Sequence, residues 1–487
     1  MSDISRPRSR GTLLRGPLLL AVVGLLAACA HPGAPHAPLA RTAPSALGLA
    51  ATPARPAELP TARWWQALGD AELDALMDEA LAQHPSLAVA RARAAQAAAL
   101  ADARHAANGP QAGFGADVTR QRYTANGLVP PPIAGNVYDS ANLQATLSWS
   151  PDFFGLHRAE LDAALGQARA AQADAAAAAN TLALQLARGW VGLARILADQ
   201  RVAVQALEQR RAIARLTRER VGAGLDSQVE RTQADAAVPD AATQVEALAE
   251  QATLARRQIA VLAGKAPDAL PDLAPRLDTL ARPAVPAVLG ADLLGRRPDV
   301  VAARWRIEAA TQGVSAARSE FYPNINLSAF IGLNALGLDQ LFQASSRQVG
   351  VAPALRLPIF DGGRLRAQLG GRQAELDAAI GQYNAAVLDA VKQAGDALAS
   401  VQSIDRQQDL QQQAQAGSEK AWRYAQERYG AGLGNYLVVL GAESQVLAQR
   451  RQAVALQARA LDVRVALMHA LGGGWSDDTA AVQTASR

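Results

Sequence analysis

Two long stretches without proline constrain this chain most, because each is too long to serve as the core of a globular domain. The first covers residues 154–221 and the second covers residues 363–429, and both are rich in alanine, leucine, glutamine and arginine. These residue types are strong helix formers. At about 1.5 Å per residue, a helix of this length reaches roughly 100 Å. The sequence therefore predicts an elongated helical body.

Both stretches end at nearly the same turn sequence. Residues 220–226 read RVGAGLD and residues 428–434 read RYGAGLG, and a helical pattern then resumes toward Leu262 and toward Leu471. Glycine permits the positive φ that a tight turn after a helix requires. Each stretch with its turn therefore predicts an antiparallel helical hairpin.

The first stretch carries apolar residues on a seven-residue step. They are Leu186, Leu193, Leu207, Ala214 and Val221. A heptad repeat keeps one seam against a partner helix and is typical of left-handed coiled-coil packing. For these helices taken alone, an extended structural coiled coil is the plainest interpretation.

The hairpins belong to a duplication that covers most of the chain. The matched landmarks are Pro85 with Pro298 and Pro110 with Pro323, both 213 residues apart, Phe154 with Phe360, 206 apart, and Gly222 with Gly430, 208 apart. Prolines, an aromatic residue and a glycine turn in one order, with small drifts in spacing, indicate two structural repeats. In each repeat the proline pair brackets a shorter predicted helix.

Each repeat also contains two strand-like segments between its shorter and its longer helix. Residues 141–149 alternate apolar and polar side chains, with a partner around 114–118, and the second repeat offers 324–331 and 349–359. A period of two predicts a strand with one apolar face, as in a membrane barrel or an ordinary half-buried sheet. Four strands cannot close a barrel, and open edges in lipid are costly. Several chains would therefore have to pool their strands.

The N-terminus reads as a targeting segment. Arginines precede an apolar run, residues 18–28, which is too short to span a bilayer and ends in Leu26-Ala27-Ala28-Cys29. This ending resembles a bacterial lipobox, which predicts that Cys29, the only cysteine, is lipidated and becomes the first residue. Ala30 rather than aspartate follows it, which by the sorting rule for such lipoproteins implies the outer membrane. Removal of residues 1–28 lowers the formal net charge from +4 to about +1, and nothing in that charge supports a nucleic-acid partner.

The domain organisation follows from these features. The sequence predicts a signal peptide at 1–28, a lipidated and unstructured tether rich in proline and alanine at 29–62, a first structural repeat at 63–264, an equatorial linker at 265–290, a second repeat at 291–472 and a C-terminal tail at 473–487. Order is expected to begin at Trp64-Trp65, and Pro239 is expected to kink the first return helix.

With these segments in view, the chain resembles the outer membrane factors of tripartite efflux pumps, the TolC-like outer membrane efflux proteins, and most closely their lipoprotein (NodT-type) branch. The segments that carry the resemblance are Trp64-Trp65, residues 85–93, residues 293–300 (LLGRRPDV), Ala302-Ala303, residues 316–323 (AARSEFYP), residues 358–364 (PIFDGGR) and both glycine turns. The Arg-Arg-Pro-Asp and Phe-Asp-Gly-Gly segments are the specific ones.

The resemblance implies a mainly α fold with a transmembrane β-barrel. Duplicated helical hairpins would form a long α-barrel, and four strands per chain would contribute to a trimeric, twelve-stranded outer-membrane barrel. It implies passive export of drugs or other small toxic compounds, with an inner-membrane RND pump supplying energy through a periplasmic adaptor. The turns at the ends of the longest arms are predicted to be the periplasmic tips that contact the adaptor. The tip residues are Gly222, Gly224, Leu225, Gly430, Gly432 and Leu433.

An open tube would leak, so the resting tip is expected to be closed. Family members often place aspartates just after the second turn, where this chain has Gly434, Val438 and Gly441. We predict instead that Tyr429 closes the gate by bonding to a neighbouring hairpin, to Arg220 or to Asp226. Loss of the hydroxyl in Tyr429→Phe should open the channel, and Asp226→Ala should do so more weakly. The alternative is that Tyr429 only packs between helices.

Other chemistry finds little support in the sequence. The six histidines share no metal-ligand spacing, and no Walker loop, dinucleotide fingerprint or nucleophile elbow occurs. We therefore expect no enzyme, no metal and no cofactor except the covalent lipid on Cys29, an S-diacylglycerol with an N-acyl chain. Two alternatives to a drug duct stay open, namely a type I protein-secretion duct and a structural coiled-coil envelope lipoprotein.

Overall fold

The structure of the 487-residue chain is a computed structural model. It describes residues 36–43, 47, 60–286, 290 and 293–476. The predicted signal peptide, the lipidation site Cys29 and residues 477–487 of the predicted tail lie outside the described residues.

The element order repeats between the two halves of the chain. The helices are α1 Ala71–Gln83, α2 Pro85–Ala107, α3 Leu156–Gly222, α4 Gln228–Leu262, α5 Leu293–Arg296, α6 Pro298–Ser319, α7 Arg364–Gly430 and α8 Tyr436–Ala470, and the strands are β1 Gln111–Arg122, β2 Val137–Trp149, β3 Asn324–Leu336 and β4 Arg347–Arg356. The series α2-β1-β2-α3-α4 thus recurs as α6-β3-β4-α7-α8. The long helices α3 and α7 have 67 residues each, and the return helices α4 and α8 have 35 each. No helix within the described residues is both long and apolar enough to cross a membrane.

One predicted strand boundary is wrong. The alternation of apolar residues predicts that the last strand continues to Ile359, whereas β4 ends at Arg356. Arg356 pairs with Asn324, the first residue of β3, so the ladder has no further partner beyond it. Pro358 also lacks the N–H that a continuing ladder would need.

The described residues form two compact units, and the chain passes between them within α2, α3, α6 and α7. Of the described residues, one unit comprises 36–40, 95–169 and 305–382, and the other comprises those within 41–94, 170–304 and 383–476.

The first unit contains the sheet. Its four strands are antiparallel in the order β1-β2-β3-β4. The register places apolar residues opposite one another on one face, as in the pairs Phe114 with Ala145, Leu143 with Leu333, and Ile331 with Val349. Phe114, Ile331 and Val349 are all more than half exposed. Within the described residues, Leu341 packs on this face at Ala141 and Ala335, and the stretch around Phe114, Ile331 and Val349 is left exposed.

The second unit holds the largest apolar core. Trp190 of α3 is fully buried there, and its indole N–H donates to Oδ2 of Asp70 at 3.0 Å. Asp70 also caps α1 by accepting the backbone N–H groups of Glu72 and Leu73. The core includes Trp64 and Trp65, where order is predicted to begin, and three leucines of the predicted linker. Those leucines are Leu273, Leu277 and Leu280.

The Arg-Arg-Pro-Asp segment makes a buried clamp in the same unit. Arg297 is 3% exposed and donates to Oδ2 of Asp299 at 2.6 Å, to Oε1 of Gln393 in α7 at 3.1 Å and to the carbonyl of Ala470 at the end of α8 at 3.2 Å. Burial opposes ionisation of Asp299, but the hydrogen bonds and charge of Arg297 outweigh it and lower the pKa of that carboxyl. Burial first, and then the charge of Arg297, lower the pKa of the neighbouring His469 to about 4. The motif therefore joins three helices.

Part of the predicted tether is more ordered than expected. The sequence predicts an unstructured segment, but residues 36–43 are held against α7. His36 Nε2 lies 2.8 Å from Oδ2 of Asp377, and the backbone N–H of Leu39 donates to Oδ1 of the same side chain. The backbone N–H of Thr42 donates to Oδ1 of Asn384 at 2.8 Å. Asp377 and Asn384, two helical turns apart on α7, thus accept backbone hydrogen bonds from a segment whose composition predicts an unstructured linker.

Both long helices pair with their return helices as predicted. Arg218 of α3 bonds to Asp235 of α4 at 2.9 Å, which fixes an antiparallel hairpin. In the second hairpin, Arg464 of α8 bonds to Asp405 of α7 at 2.9 Å. Pro239 lies inside α4, and the helix continues through it to Leu262.

A candidate gate at the hairpin turns

The two turns share one backbone conformation. In the first turn the N–H of Leu225 donates to the carbonyl of Arg220 at 2.9 Å. In the second, Leu433 donates to Arg428 at the same distance. A bond that spans six residues across a helix end is the mark of the Schellman motif, which satisfies carbonyls that the helix leaves free.

The glycines of the predicted tips have two different roles. Gly224 and Gly432 have φ of 72° and 78°, a left-handed conformation that disfavours any side chain. Gly222 and Gly430 end the long helices, and no atom lies within 4 Å of a Cβ placed on either of them. Only Gly224 and Gly432 are therefore required by the turn itself.

The return helices start with side-chain caps. Ser227 and Glu230 form a capping box at the start of α4. Asn435 caps α8 by accepting the N–H of Val438 at 3.1 Å. Ser and Asn in this position satisfy backbone donors that a helix leaves unpaired, so both turns are locally well determined by sequence.

An ion pair closes the first turn. Arg220 Nε donates to Oδ2 of Asp226 at 2.9 Å and Nη2 donates to Oδ1 at 3.2 Å, and the side chains are 12% and 8% exposed. The hydrogen bonds from Arg220 lower the pKa of Asp226, and the hydrogen bonds to Asp226 raise the pKa of Arg220. A two-pronged contact of this kind is among the stronger ion pairs that a protein makes.

Tyr429 connects this ion pair to the second hairpin. Its hydroxyl donates to Oδ2 of Asp226 at 2.6 Å and lies 3.3 Å from the hydroxyl of Thr217. Arg220 donates to the backbone carbonyl of Tyr429 at 3.2 Å, and its guanidinium lies 4.5 Å from the centre of the tyrosine ring. Burial first, and then the bond to Asp226, raise the pKa of Tyr429. The structure thus brings together all three residues predicted for the gate, and their gating role stays a prediction.

An apolar layer lies beside these polar contacts. The rings of Tyr429 and Tyr436 are 6.4 Å apart, and both are 2% exposed. Buried residues that pack with them come from all four helices. They are Ala214, Ala234, Ala425 and Val439. Tyr429 therefore also packs between helices, as the alternative predicts, while its hydroxyl makes the hydrogen bond to Asp226.

The turns present apolar side chains outward. Leu225 and Leu433 are 65% and 72% exposed. Val229, Leu437 and Val438, in the first turns of the return helices, are also more than half exposed. These exposed apolar side chains lie at the ends of both hairpins, where the sequence predicts the adaptor contact, and that contact stays a prediction.

Sequence analysis missed Thr217 as part of the site. Thr217 is fully buried, and it lies on α3 between Ala214 and Val221, which belong to the predicted seven-residue seam. A hydroxyl between two apolar seam positions is the signal that could have identified it, because a buried hydroxyl needs a partner. Among the residues that the structure describes, no three or more His, Cys, Asp or Glu side chains gather where they could hold a metal ion.

Comparison with known proteins places this geometry in a family. The sequence profile of the outer membrane efflux protein family matches residues 76–265 and 289–473, which is most of the chain and both of its repeats. The chain belongs to the outer membrane efflux protein family.

Individual members of the family match along most of their length. The chain is 33% identical over 472 residues to the multidrug resistance outer membrane protein MdtQ of Escherichia coli O6:H1, covering 94% of this chain and 97% of that protein. It is 38% identical over 378 residues to the fusaric acid resistance protein FusA of Burkholderia cepacia, covering 76% and 70%. The crystal structure of the outer membrane protein VceC of Vibrio cholerae superposes with a TM-score of 0.80 at 34% identity, covering 85% of this chain and 99% of that one.

Membership confirms the predicted fold class and the predicted type of function. This outer membrane efflux protein is mainly α, with duplicated helical hairpins that belong to a long α-barrel and four strands that are one chain's share of a trimeric, twelve-stranded barrel. It is an efflux channel of the outer membrane with a long periplasmic helical tunnel. The family is one of transport ducts.

Proposed function

We propose that this efflux protein is the homotrimeric exit duct of a tripartite pump for drugs and other small toxic compounds. In this proposal, an inner-membrane RND pump drives transport and a periplasmic adaptor joins the pump to the duct. The observation that carries it is the strand register, which places apolar residues of all four strands on one face of the sheet. The long hairpins that follow these strands end in turns that are linked by a hydrogen bond. The names of MdtQ and FusA, which refer to multidrug and fusaric acid resistance, support this class of cargo.

Drug susceptibility of a deletion strain tests the cargo. Loss of the gene should lower the inhibitory concentrations of several unrelated small toxic compounds, and the parental gene should restore them. Unchanged susceptibility together with loss of a secreted protein would favour the type I secretion alternative. A purified protein with no conductance in a planar bilayer would favour the structural lipoprotein.

The anchor is a separate part of the proposal. Cys29 would carry an S-diacylglycerol and an N-acyl chain and tether the protein to the periplasmic side of the outer membrane. Two or more acyl chains anchor a protein stably, whereas one binds only marginally. In Cys29→Ser, acyl labelling should disappear while some membrane-bound trimer persists, because the barrel inserts through its strands. Continued labelling of that variant would refute the assignment.

The tips are proposed to dock the adaptor. A bulky side chain at Gly222 or Gly430 meets open space, so Gly430→Leu should fold and assemble while its drug export falls. The matched control is Gly417→Leu, because Gly417 is also an exposed glycine of α7 with open space around it but lies more than three helical turns before the tip. Normal export by both Gly222→Leu and Gly430→Leu would show that the tips are not the docking surface.

The gate follows from the contacts of Tyr429. A hydrogen bond to a neutral partner contributes about 0.5–1.5 kcal/mol, and one to a charged partner about twice that. Three copies of the Tyr429–Asp226 bond would bias a trimer toward the closed tip and would still be weak enough for an adaptor to open it. Asp226 accepts hydrogen bonds from both Arg220 and Tyr429. We therefore expect Asp226→Ala to open the tip more than Tyr429→Phe, the reverse of the order expected from sequence.

A further inference from the structure

Glu443 is a buried carboxyl group with incomplete partners. It lies on α8 seven residues after Tyr436, and the residue is 1% exposed. Within the described residues, its Oε1 has no hydrogen-bond partner. The nearest cation is Arg210 of α3, whose Nε lies 3.9 Å from Oε2, beyond hydrogen-bond distance.

Arg210 forms its hydrogen bonds with partners other than Glu443. Its Nη1 donates to Oδ2 of Asp240 at 3.0 Å and to the carbonyl of Ala237 at 3.2 Å, both on α4. Its Nε is buried and, like Oε1 of Glu443, has no hydrogen-bond partner in the part of the chain that the structure describes. The guanidinium therefore neutralises an aspartate of its own hairpin and reaches Glu443 only at a distance.

Among the described residues, Arg210 of α3 and Tyr436 of α8 interact with Glu443 directly. Asp240 of α4 pairs with Arg210, and the ring of Tyr429 of α7 lies beside that of Tyr436. On the same helix Val439, Val446 and Leu447 are buried, and Arg451 lines a cavity together with Arg210 and Asp240.

Burial decides the charge of this group. A carboxylate removed from water without hydrogen bonds is costly, so it tends to keep its proton. Burial raises the pKa of Glu443, and the charge of Arg210 opposes this only in part. Between the ordinary pKa of a glutamate and this raised value, Glu443 is neutral when the hairpins are packed and ionised when it is exposed.

We propose that Glu443 binds a proton while the two hairpins of a chain are packed together and releases it when they separate, so that rising pH favours opening of the tip. The proposal rests on the proposed function in one respect, namely that opening moves the hairpins apart. It makes Glu443 a positioning residue, because it acts on the packing of the hairpins and not on the cargo.

The sign follows from proton binding. The packed state holds more protons than the separated state, so packing weakens as pH rises from the ordinary pKa of glutamate through the raised pKa of Glu443. Asp226 has the opposite sign, since its lowered pKa means that its contribution is lost only as pH falls below the ordinary aspartate range. The two groups therefore act in different pH windows.

Hydrogen–deuterium exchange of the assembled trimer tests the proposal. Exchange of residues 436–450 would be measured between about pH 5 and pH 8 and corrected for the intrinsic pH dependence of amide exchange. In the parent, protection should fall with rising pH by up to about tenfold per unit, the limit for one proton. Glu443→Gln, which keeps the shape of the neutral acid, should remain protected with no such slope.

The controls separate charge from packing. Glu246→Gln removes an exposed carboxyl of α4 and should keep the parental slope. If Glu443→Gln does not assemble, Glu443→Met offers similar volume without polar atoms and should also lack the slope. A parent without the slope, or a slope that survives in Glu443→Gln or Glu443→Met, would overturn the proposal. A Tyr429→Phe channel with parental conductance would instead overturn the proposed gate and leave the exchange result standing.

Discussion

The two hairpin turns have the same backbone and different side-chain chemistry. Both use a left-handed glycine and the same six-residue hydrogen bond, and each follows a helix of 67 residues. At equivalent positions, however, the first turn has Asp226 and the second has Gly434. Arg220 is thereby held by a carboxylate, whereas Arg428 donates to the carbonyl of Leu433 at 3.4 Å.

The other difference is at the last turn of each long helix. Val221 in the first hairpin corresponds to Tyr429 in the second, and the tyrosine hydroxyl reaches across to Asp226. One repeat thus supplies the acceptor and the other supplies the donor. Neither turn carries both partners, so this hydrogen bond between the hairpins depends on the divergence of the two turns.

The largest effect is expected from Asp226→Ala. It removes the partner of Arg220 and the acceptor of Tyr429 together, and hydrogen bonds to charged groups contribute about 1.5–3 kcal/mol each. Amide exchange at both turns should therefore accelerate, and cells should become sensitive to large antibiotics such as vancomycin.

The matched control for that variant is Asp235→Ala. Asp235 pairs with Arg218 within the first hairpin and is half-exposed, so its removal tests loss of an ion pair without loss of the link between hairpins. A surface pair of this kind contributes about 0–1 kcal/mol. Equal sensitivity of the two variants to vancomycin would show that the link to Tyr429 has no special role.

Substitution of the left-handed glycines should have an intermediate and equal effect. Gly224→Ala and Gly432→Ala each force a side chain into positive φ, which costs about 1 kcal/mol or more. Because the backbones match, thermal unfolding of the two variants should shift by similar amounts, and Gly222→Ala and Gly430→Ala should shift it little. A clear difference between Gly224→Ala and Gly432→Ala would contradict the equivalence of the turns.

The smallest effect is expected from Gly434→Asp, which gives the second turn the carboxylate of the first. A Cβ at this position has only ordinary contacts, the nearest at 3.6 Å, so the side chain fits. Arg428 should then gain an exposed partner that contributes about 0.2–1 kcal/mol. Exchange at the second turn should slow slightly at low salt and return to the parental rate at high salt.

A feature of this fold can be predicted from the sequence when neighbouring residues determine it, and cannot when distant residues do. Helix and turn boundaries at Pro85, Pro298 and the glycine turns are local chemistry, and they were predictable within a residue or two. The end of β4 was missed because strand length depends on where its partner β3 begins, which is not a local property. The ordered segment at residues 36–43 was missed because its partners Asp377 and Asn384 are more than 300 residues away.

The candidate site divides in the same way. Tyr429 and Asp226 could be named because duplication exposes the positions at which the two turns differ, and Arg220 could be named because it is the cation next to them. The only signal for Thr217 is its place between two apolar seam positions, and the burial of Glu443 has none, because a polar residue in a helical pattern is expected to be solvated unless packing shows that it is buried. Burial on all four helices at once is a tertiary property.

Single-channel conductance of Tyr429→Phe tests the central claim most directly, namely that the bond between the second hairpin and Asp226 keeps the tip closed. The variant keeps the ring packing and removes only the hydroxyl, so its conductance in a planar bilayer should exceed that of the parent. The double variant Tyr429→Phe/Asp226→Asn should show a smaller rise in conductance than the sum of the rises in the two single variants, because both changes remove the same hydrogen bond. Parental conductance in Tyr429→Phe, with an open pore in Leu433→Ala, would show that closure is apolar and would contradict this account.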